Sequence, residues 1–158
     1  MKIRRQKRKS LSMKITQLGD VYVYIPNWLR PNHPEVKRFI RDGLKKLDSH
    51  IPDERPEQFH DAETVLQLVD TWSERMNLYP KRVQMRDMTR KWGSCSSKQN
   101  ITFNTALYYL PYHLVEYVVV HELAHLQELN HKPPFWALVG QYLPNYAELE
   151  QELKDYRI

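Results

Sequence analysis

Three histidines and a glutamate stand close together in the stretch VVVHELAHLQELNHKPPFWALV, residues 118–139. His121 and His125 are four residues apart, so on a helix their side chains lie one turn apart on the same face. Two imidazoles placed in this way can bind one metal ion. Glu122 is rotated by about 100° from His121, beside the open side of that ion. A carboxylate there can accept a proton from a water molecule that the ion activates, so the motif predicts a catalytic metal site.

His131 is the candidate for the third ligand, because a catalytic zinc site has three protein ligands and one open position. We expect a helix over residues 112–129. If that helix continued, His131 would lie about 15 Å along its axis from His121. Asn130 tolerates the left-handed conformation of a helix C-cap, and the Pro133–Pro134 pair cannot continue a helix. The sequence therefore predicts a turn at Asn130 that brings His131 back to the other two histidines.

The ligand types favour a catalytic site over a structural one. Structural zinc sites are rich in thiolates, whereas the chain has one cysteine, Cys95, and a structural site has no use for Glu122. We expect one Zn²⁺ per chain, although three imidazoles also suit iron, nickel or copper. Cys95 lies in a Gly/Ser loop without an arguable His–Asp partner, which favours a turn residue over a nucleophile. A donor to the oxyanion is also needed, and spacing does not choose among the candidates Arg90, Tyr108, Tyr109 and His113.

The elements that must position this motif are mostly short. The Gly19–Asp20 pair predicts the turn of a β-hairpin, and Asp61 is a good N-cap for the helix that follows it. Two short strands, RVQMRDM and NITFN, flank the Gly/Ser-rich loop TRKWGSCSSKQ. Together these patterns predict an α+β fold with a small, largely antiparallel sheet. The predicted segments are a basic tail (1–9), a hairpin and helix (10–50), a linker (51–60) and a catalytic core (61–158), with helices at 62–79, 112–129, 133–142 and 145–156.

The composition is that of a soluble globular protein, with 158 residues, 41% of them hydrophobic and 27% charged. That length suits one ordinary domain, so residues 10–158 are expected to form a single domain. One cysteine cannot form a disulfide within the chain, which suits a reducing compartment. The sequence contains no run of about 18 apolar residues and no signal-peptide h-region. We therefore expect no membrane partner and a cytoplasmic location.

The net charge of +5 is unevenly distributed along the chain. Residues 1–9 contain six lysines and arginines and no acid, and residues 81–98 form a second basic segment. A basic tail can bind nucleic acid, although most such tails are simply solvated. A nucleic-acid partner bound through residues 1–9 is therefore one hypothesis, and it predicts steeply salt-dependent binding.

The histidine stretch, taken with RKWGSCSSKQNITFN at residues 90–104, resembles the YgjP-like metal-dependent hydrolases. These are relatives of the SprT-like metalloproteases and of the H-E-x-x-H zincins. The resemblance extends over most of the chain, including RRQKRKSLSMKI, VYVYIPNWL and DAETVLQLVDTWSERM. It implies a zincin-like fold, zinc on His121, His125 and His131, Glu122 as general base, and hydrolysis of peptide bonds. The metzincins differ from this chain, because they have glycine where Glu128 stands and a Met-turn that is not recognisable here.

Three hypotheses follow from the sequence. The leading one is a zinc metallopeptidase that acts on a peptide or protein substrate. The second is a nucleic-acid-associated protein that uses the basic tail; SprT-like relatives include proteases that act on DNA-bound proteins, but no DNA-binding module is recognisable here. The third is a metal-stabilised interaction module without enzymatic activity, for which replacement of Glu122 would have no consequence.

Overall fold

A computed structural model describes residues 1–15, 19–47 and 57–156. It has an α+β architecture, as predicted, and its compact units are residues 1–56 and 57–158. Most of the predicted linker, residues 51–56, lies outside the described residues, so the domain boundaries stay a prediction. Within the part of the chain that is described, no helix has the length and apolar character needed to cross a membrane.

The N-terminal unit contains a three-stranded sheet and one helix. Its elements are strands β1 (Lys2–Gln6), β2 (Ser12–Ile15) and β3 (Val21–Pro26) and helix α1 (Pro34–Leu47). The predicted hairpin is present, since β2 pairs with β3 in antiparallel orientation; residues 16–18 of its turn lie outside the described residues. A separate apolar core, which includes Val23, Ile25 and Val36, holds this unit together.

Residues 2–6 correct the prediction of a basic tail, because they form β1 and pair in parallel with β3. The Arg4 guanidinium lies 4.7 Å from the centre of the Tyr22 ring, and that of Arg8 lies 5.8 Å from the centre of the Tyr24 ring. A cation over an aromatic face is attracted by the ring quadrupole, so these charges pack on the sheet that the tyrosines belong to.

The C-terminal unit contains the histidine motif and the larger core. Its sheet is formed by β4 (Arg82–Arg86), β5 (Gly93–Cys95) and β6 (Asn100–Asn104) in the order β4–β6–β5, with β5 antiparallel and β4 parallel to the central strand β6. Both sheets are therefore mixed and not largely antiparallel, because β1 and β4 reach their partners through non-local pairing that an alternation pattern does not encode. The other elements are α2 (Ala62–Met76), a 3₁₀ helix (Thr105–Tyr109), α3 (Tyr112–Ala124), α4 (Pro133–Tyr142) and α5 (Tyr146–Leu153).

Helix α2 matches its sequence pattern closely. The Asp61 carboxylate accepts hydrogen bonds from the Thr64 backbone N–H at 2.8 Å and from the Thr64 hydroxyl at 2.9 Å, as expected of an N-cap. Its helical-spaced apolar residues are all buried in the main core: Val65, Leu68, Val69, Trp72 and Met76. At the other end, Asn77 ends the helix in the left-handed conformation, with φ of 53°.

Several predicted elements of this unit differ from the structure; α2 ends at Met76, three residues before its predicted end at Tyr79. The Gly/Ser-rich loop contains strand β5, which forms a hairpin with β6 around Gln99, whose φ is 62°. Helix α5 covers Tyr146–Leu153, a shorter span than the predicted 145–156, whereas α4 has its predicted bounds. Helix α3 packs against α2, α4, α5 and β5, so the helix that holds the motif lies at the centre of this unit.

Candidate metal centre

Helix α3 supplies His121 and Glu122, and its C-cap supplies His125. The helix is apolar on most sides, and nine of its residues are buried. Packing on most sides fixes its rotation, and so fixes the direction of the side chains that leave it. The face that carries the histidines is less enclosed, since both imidazoles are only partly buried.

The turn after α3 begins earlier than predicted. The helix ends at Ala124, five residues before the expected Leu129, and the Glu128 N–H donates to the Ala124 carbonyl at 2.9 Å. Among the described residues, positive φ angles outside glycine occur only at Asn77 and Gln99, so Asn130 is not the predicted left-handed cap. Its side-chain oxygen accepts from the Lys132 N–H at 3.2 Å, which tightens the turn before Pro133.

This turn brings His131 to the other two histidines. Its Nε2 lies 3.0 Å from Nε2 of His121 and 3.1 Å from Nε2 of His125. One ligand atom from each of the three residues falls within 4.8 Å of the others. The structure thus places all three predicted ligand residues together, with their ring nitrogens directed at one point.

The donor set fits a divalent metal ion. Nitrogen donors that surround a tetrahedral zinc at 2.0–2.1 Å are about 3.3 Å apart, close to the separations seen here. Nδ1 of His125 lies 2.9 Å from the Glu128 carbonyl oxygen. When Nδ1 carries the proton and donates it to this oxygen, Nε2 keeps a free lone pair that can bind a metal ion. Burial, followed by the charges of the other two imidazoles, lowers the pKa of His121 to about 3 and so keeps it neutral, the state that binds metal.

Phe135 lies beneath the three imidazoles. Its ring is fully buried, and its centre is 4.9 Å from that of His121, 4.4 Å from that of His125 and 4.8 Å from that of His131. Phe135 follows Pro133 in the first turn of α4, so the proline that prevents α3 from continuing also places this ring. An apolar floor of this kind excludes water from one side of the nitrogen cluster.

Glu122 is buried beside the cluster, with only 6% of its surface exposed. Its Oε2 is buried and has no hydrogen-bond partner among the residues that the structure describes. Burial raises the pKa of Glu122 to about 8, and the positive charge of Lys91 opposes that rise. A cation held by the three histidines would favour the charged carboxylate, by the ordinary attraction of opposite charges.

Gly93 forms the wall against the Glu122 carboxyl. A Cβ atom on Gly93 would lie 2.6 Å from Cγ and 2.6 Å from Oε1 of Glu122, which is closer than real Cβ contacts. Only glycine lets strand β5 approach the carboxyl this closely. Sequence reasoning placed Gly93 in a turn-forming loop; the close approach is tertiary, and no local pattern indicates it.

Asn104 is a second residue that sequence reasoning missed. Its side chain is buried, accepts from the Met88 N–H at 3.2 Å, and donates to the carbonyls of Met88 at 2.9 Å and Lys91 at 2.8 Å. The Asn104 backbone N–H donates to the Trp92 carbonyl at 2.8 Å. These bonds hold the segment that leads into Gly93. The feature of the sequence that could have indicated this role is the position of Asn104, a polar residue at the end of the predicted strand NITFN.

The remaining candidates from the sequence are Cys95, as a possible nucleophile, and the four possible oxyanion donors. Burial, followed by the charge of Glu122, raises the pKa of Cys95 to about 11, so the thiol is protonated and poorly suited to be a nucleophile. His113 binds Glu152 through Nε2 at 2.8 Å, and burial raises the pKa of Tyr108. Neither these contacts nor the positions of Arg90 and Tyr109 choose an oxyanion donor, which stays unassigned.

Comparisons with known proteins agree with this geometry. A model of the YgjP-like family, metallopeptidase domain, matches residues 54–156. The metallopeptidase zymogen abylysin of Pyrococcus abyssi is 21% identical with a TM-score of 0.52, over 60% of this chain and 99% of that one. The zymogen jannalysin of Methanocaldococcus jannaschii is 20% identical with a TM-score of 0.52, over 58% of this chain and 94% of that one. At these identities the likeness concerns the fold. No curated protein gives a significant match.

Proposed function

The chain belongs to the YgjP-like metallopeptidase family and is a metal-dependent hydrolase, and from that premise we propose that it cleaves peptide bonds with one zinc ion held by His121, His125 and His131. In this proposal Glu122 is the general base. The observation that carries it is the convergence of three Nε2 atoms, two pairs of them 3.0 and 3.1 Å apart, next to a buried carboxyl. Three imidazoles also bind iron, nickel or copper, and zinc is proposed because the ligand set and the basic carboxylate suit hydrolysis.

A zinc ion held by His121, His125 and His131 would polarise the carbonyl of the substrate and would lower the pKa of a water molecule toward neutrality. Glu122 accepts the proton of the attacking water and delivers it to the nitrogen of the leaving amine. The contact with Gly93 restricts where the Glu122 carboxyl can lie, so that proton transfer starts from a defined position. Phe135 and the surrounding core keep bulk water away from one side of the cluster, which strengthens the electrostatic interactions on that side.

The two alternatives have less support. No comparison indicates a nucleic-acid partner, and the basic residues 2–6 form a strand of the N-terminal sheet, so we do not propose that function. A non-enzymatic interaction module does not agree with membership of a metallopeptidase family. Such a module also gives no reason to bury a carboxylate beside the histidines when one of its oxygens has no hydrogen-bond partner in the described part of the chain.

The test is a comparison of Glu122→Gln with His131→Ala, both prepared without chelators or a histidine tag. We expect Glu122→Gln to retain about one zinc ion per chain and to lose hydrolysis of an unfolded protein such as casein by about 10²- to 10⁴-fold. His131→Ala should lose both zinc and hydrolysis. Zinc is measured by elemental mass spectrometry, and cleavage by release of peptides.

Glu128→Gln is the matched control for the base. It makes the same chemical change six residues further along and keeps the backbone carbonyl that His125 contacts. We expect it to hydrolyse casein at the wild-type rate. Undiminished hydrolysis in Glu122→Gln would overturn the role of Glu122, and a wild-type protein that binds no zinc, even when zinc is supplied, would overturn the metal site.

A further inference from the structure

We infer that Trp136 is a positioning residue that holds His131, the third ligand, ready to bind the metal; this inference rests on the proposed function. His121 belongs to α3 and His125 caps it, whereas His131 stands in an exposed turn between two helices. Its neighbours Asn130 and Lys132 are exposed as well. Core packing therefore fixes the first two ligands, and the third needs a restraint of another kind.

The indole of Trp136 provides that restraint through two contacts. Its Nε1–H donates to the His131 backbone carbonyl at 3.1 Å. Its ring also stacks on the His131 imidazole, with centres 5.6 Å apart and planes inclined by 26°. Side chains on a helix point toward its N-terminus, so an indole in the first turns of α4 reaches back to a residue that precedes the helix. One side chain thus restrains both the backbone and the ring of His131.

Trp136 is itself held from the other side. Its ring stacks on that of Tyr146, with centres 5.2 Å apart and planes inclined by 16°. Gly140 makes room for Tyr146, because a Cβ atom at Gly140 would lie 3.2 Å from Tyr146 Cε1. The three rings of His131, Trp136 and Tyr146 form a stack that connects the exposed ligand to the first residue of α5.

This stack has a thermodynamic consequence for metal binding. A ligand that moves freely before binding loses conformational freedom when the metal arrives, and a ligand that is already ordered loses less. Groups that orient metal ligands from outside typically contribute about 10- to 100-fold to metal affinity. Trp136 should therefore raise the affinity for zinc without touching the ion.

The test is the zinc dissociation constant of the folded protein, measured by competition with a chromophoric chelator. Trp136→Phe keeps a stacking ring and loses the N–H, and we expect it to bind zinc about tenfold more weakly. Trp136→Leu loses both contacts, and we expect a loss of about a hundredfold. Circular dichroism of the metal-free proteins identifies the variants that are folded; if Trp136→Leu is not, Trp136→Phe alone decides.

Trp72→Phe is the matched control, because Trp72 Nε1 donates to Glu116 at 3.1 Å elsewhere in the same unit. It removes an indole hydrogen bond of the same kind and should leave the zinc affinity unchanged within about twofold. Wild-type zinc affinity in the folded Trp136 variants, or an equal loss in Trp72→Phe, would overturn the positioning role alone. A wild-type chain that binds no zinc would overturn the proposed function and this inference together.

Discussion

The two sides of the histidine cluster are built in different ways. On the side of α3, Glu122 is 6% exposed and Leu123 is fully buried, and the helix packs against β5 and three other helices. On the side of the turn, His131 is exposed and Leu129 is 65% exposed. Two proposed ligands and the proposed base thus belong to a helix that is packed in the core or to its C-cap, while the third proposed ligand comes from a surface segment that a few specific contacts hold.

This difference shows which kind of restraint each part of the site uses. A core helix is held by many small apolar contacts, so no single exposed residue determines its position. The turn makes fewer contacts, and each of them matters more: the Asn130 side chain to Lys132, and the Trp136 indole and the Phe135 ring to His131. Substitutions should therefore affect catalysis and stability on the helix side, and metal affinity on the turn side.

The largest expected effect is on the helix side, at Gly93. Gly93→Ala places a Cβ atom within 2.6 Å of the Glu122 side chain, so the carboxyl must move. A displacement of about 1 Å in a catalytic group can reduce the rate by about a hundredfold, and we expect at least that loss of casein hydrolysis. Zinc content, measured by elemental mass spectrometry, should stay at the wild-type level, because the atoms nearest to the added Cβ belong to the proposed base, Glu122.

A double-mutant cycle makes this prediction specific. When Glu122 is already glutamine, Gly93→Ala should reduce the residual hydrolysis by less than about twofold, because the two substitutions act on one group. Ser94→Ala, the next residue of β5, is the control for a general disturbance of the strand. Additive losses in the double variant would show that Gly93 acts through something other than Glu122.

The sequence predicts the helix side better than the turn side. The spacing of His121, Glu122 and His125, the Asp61 cap and the bounds of α4 are local features, and local features leave a periodic or capping signal in the sequence. The end of α3 was misjudged because residues 126–129, Leu-Gln-Glu-Leu, are good helix formers and predict continuation. The helix ends where His125, its C-cap, makes two contacts: its ring stacks on that of Phe135, and its Nδ1 lies 2.9 Å from the Glu128 carbonyl oxygen.

The parts of the site that could not be predicted depend on residues distant in sequence. The approach of Gly93 to Glu122 and the hydrogen bonds of Asn104 join segments that only the folded sheet brings together. The parallel pairing of β4 with β6 has the same origin. Composition and periodicity depend on residues that are close in sequence, and they do not indicate which distant segment of the chain packs against a residue.

The next effect compares stability on the two sides. Leu123→Ala removes a fully buried side chain from α3 and should lower the free energy of unfolding by about 2–5 kcal/mol. Leu129→Ala removes a 65% exposed side chain from the turn and should change it by less than about 0.5 kcal/mol. Urea unfolding of metal-free protein measures both, since bound metal would add its own stabilisation. If the two substitutions lowered the free energy of unfolding by similar amounts, the helix side would not be packed more tightly than the turn side.

The last comparison concerns thiol reactivity. Burial, with a contribution from the charge of Glu122, raises the pKa of Cys95 from 9.0 to about 11. The thiolate is the reactive form, so at pH 8 its population is about a hundredfold lower than for a thiol with the ordinary pKa. Because the pKa lies above the working pH, the rate of modification should rise about tenfold per pH unit until the pH approaches 11.

The comparison uses a thiol on the exposed turn, in the variant Leu129→Cys combined with Cys95→Ser. An aromatic disulfide reagent at pH 8 should modify this thiol about a hundredfold faster than it modifies Cys95 in the wild-type chain. In denaturant the two rates should become equal, because the environment that suppresses the Cys95 thiolate is then lost. Rapid modification of native Cys95 would mean that β5 opens readily, and the wall that holds Glu122 would then be no more rigid than the turn that holds His131.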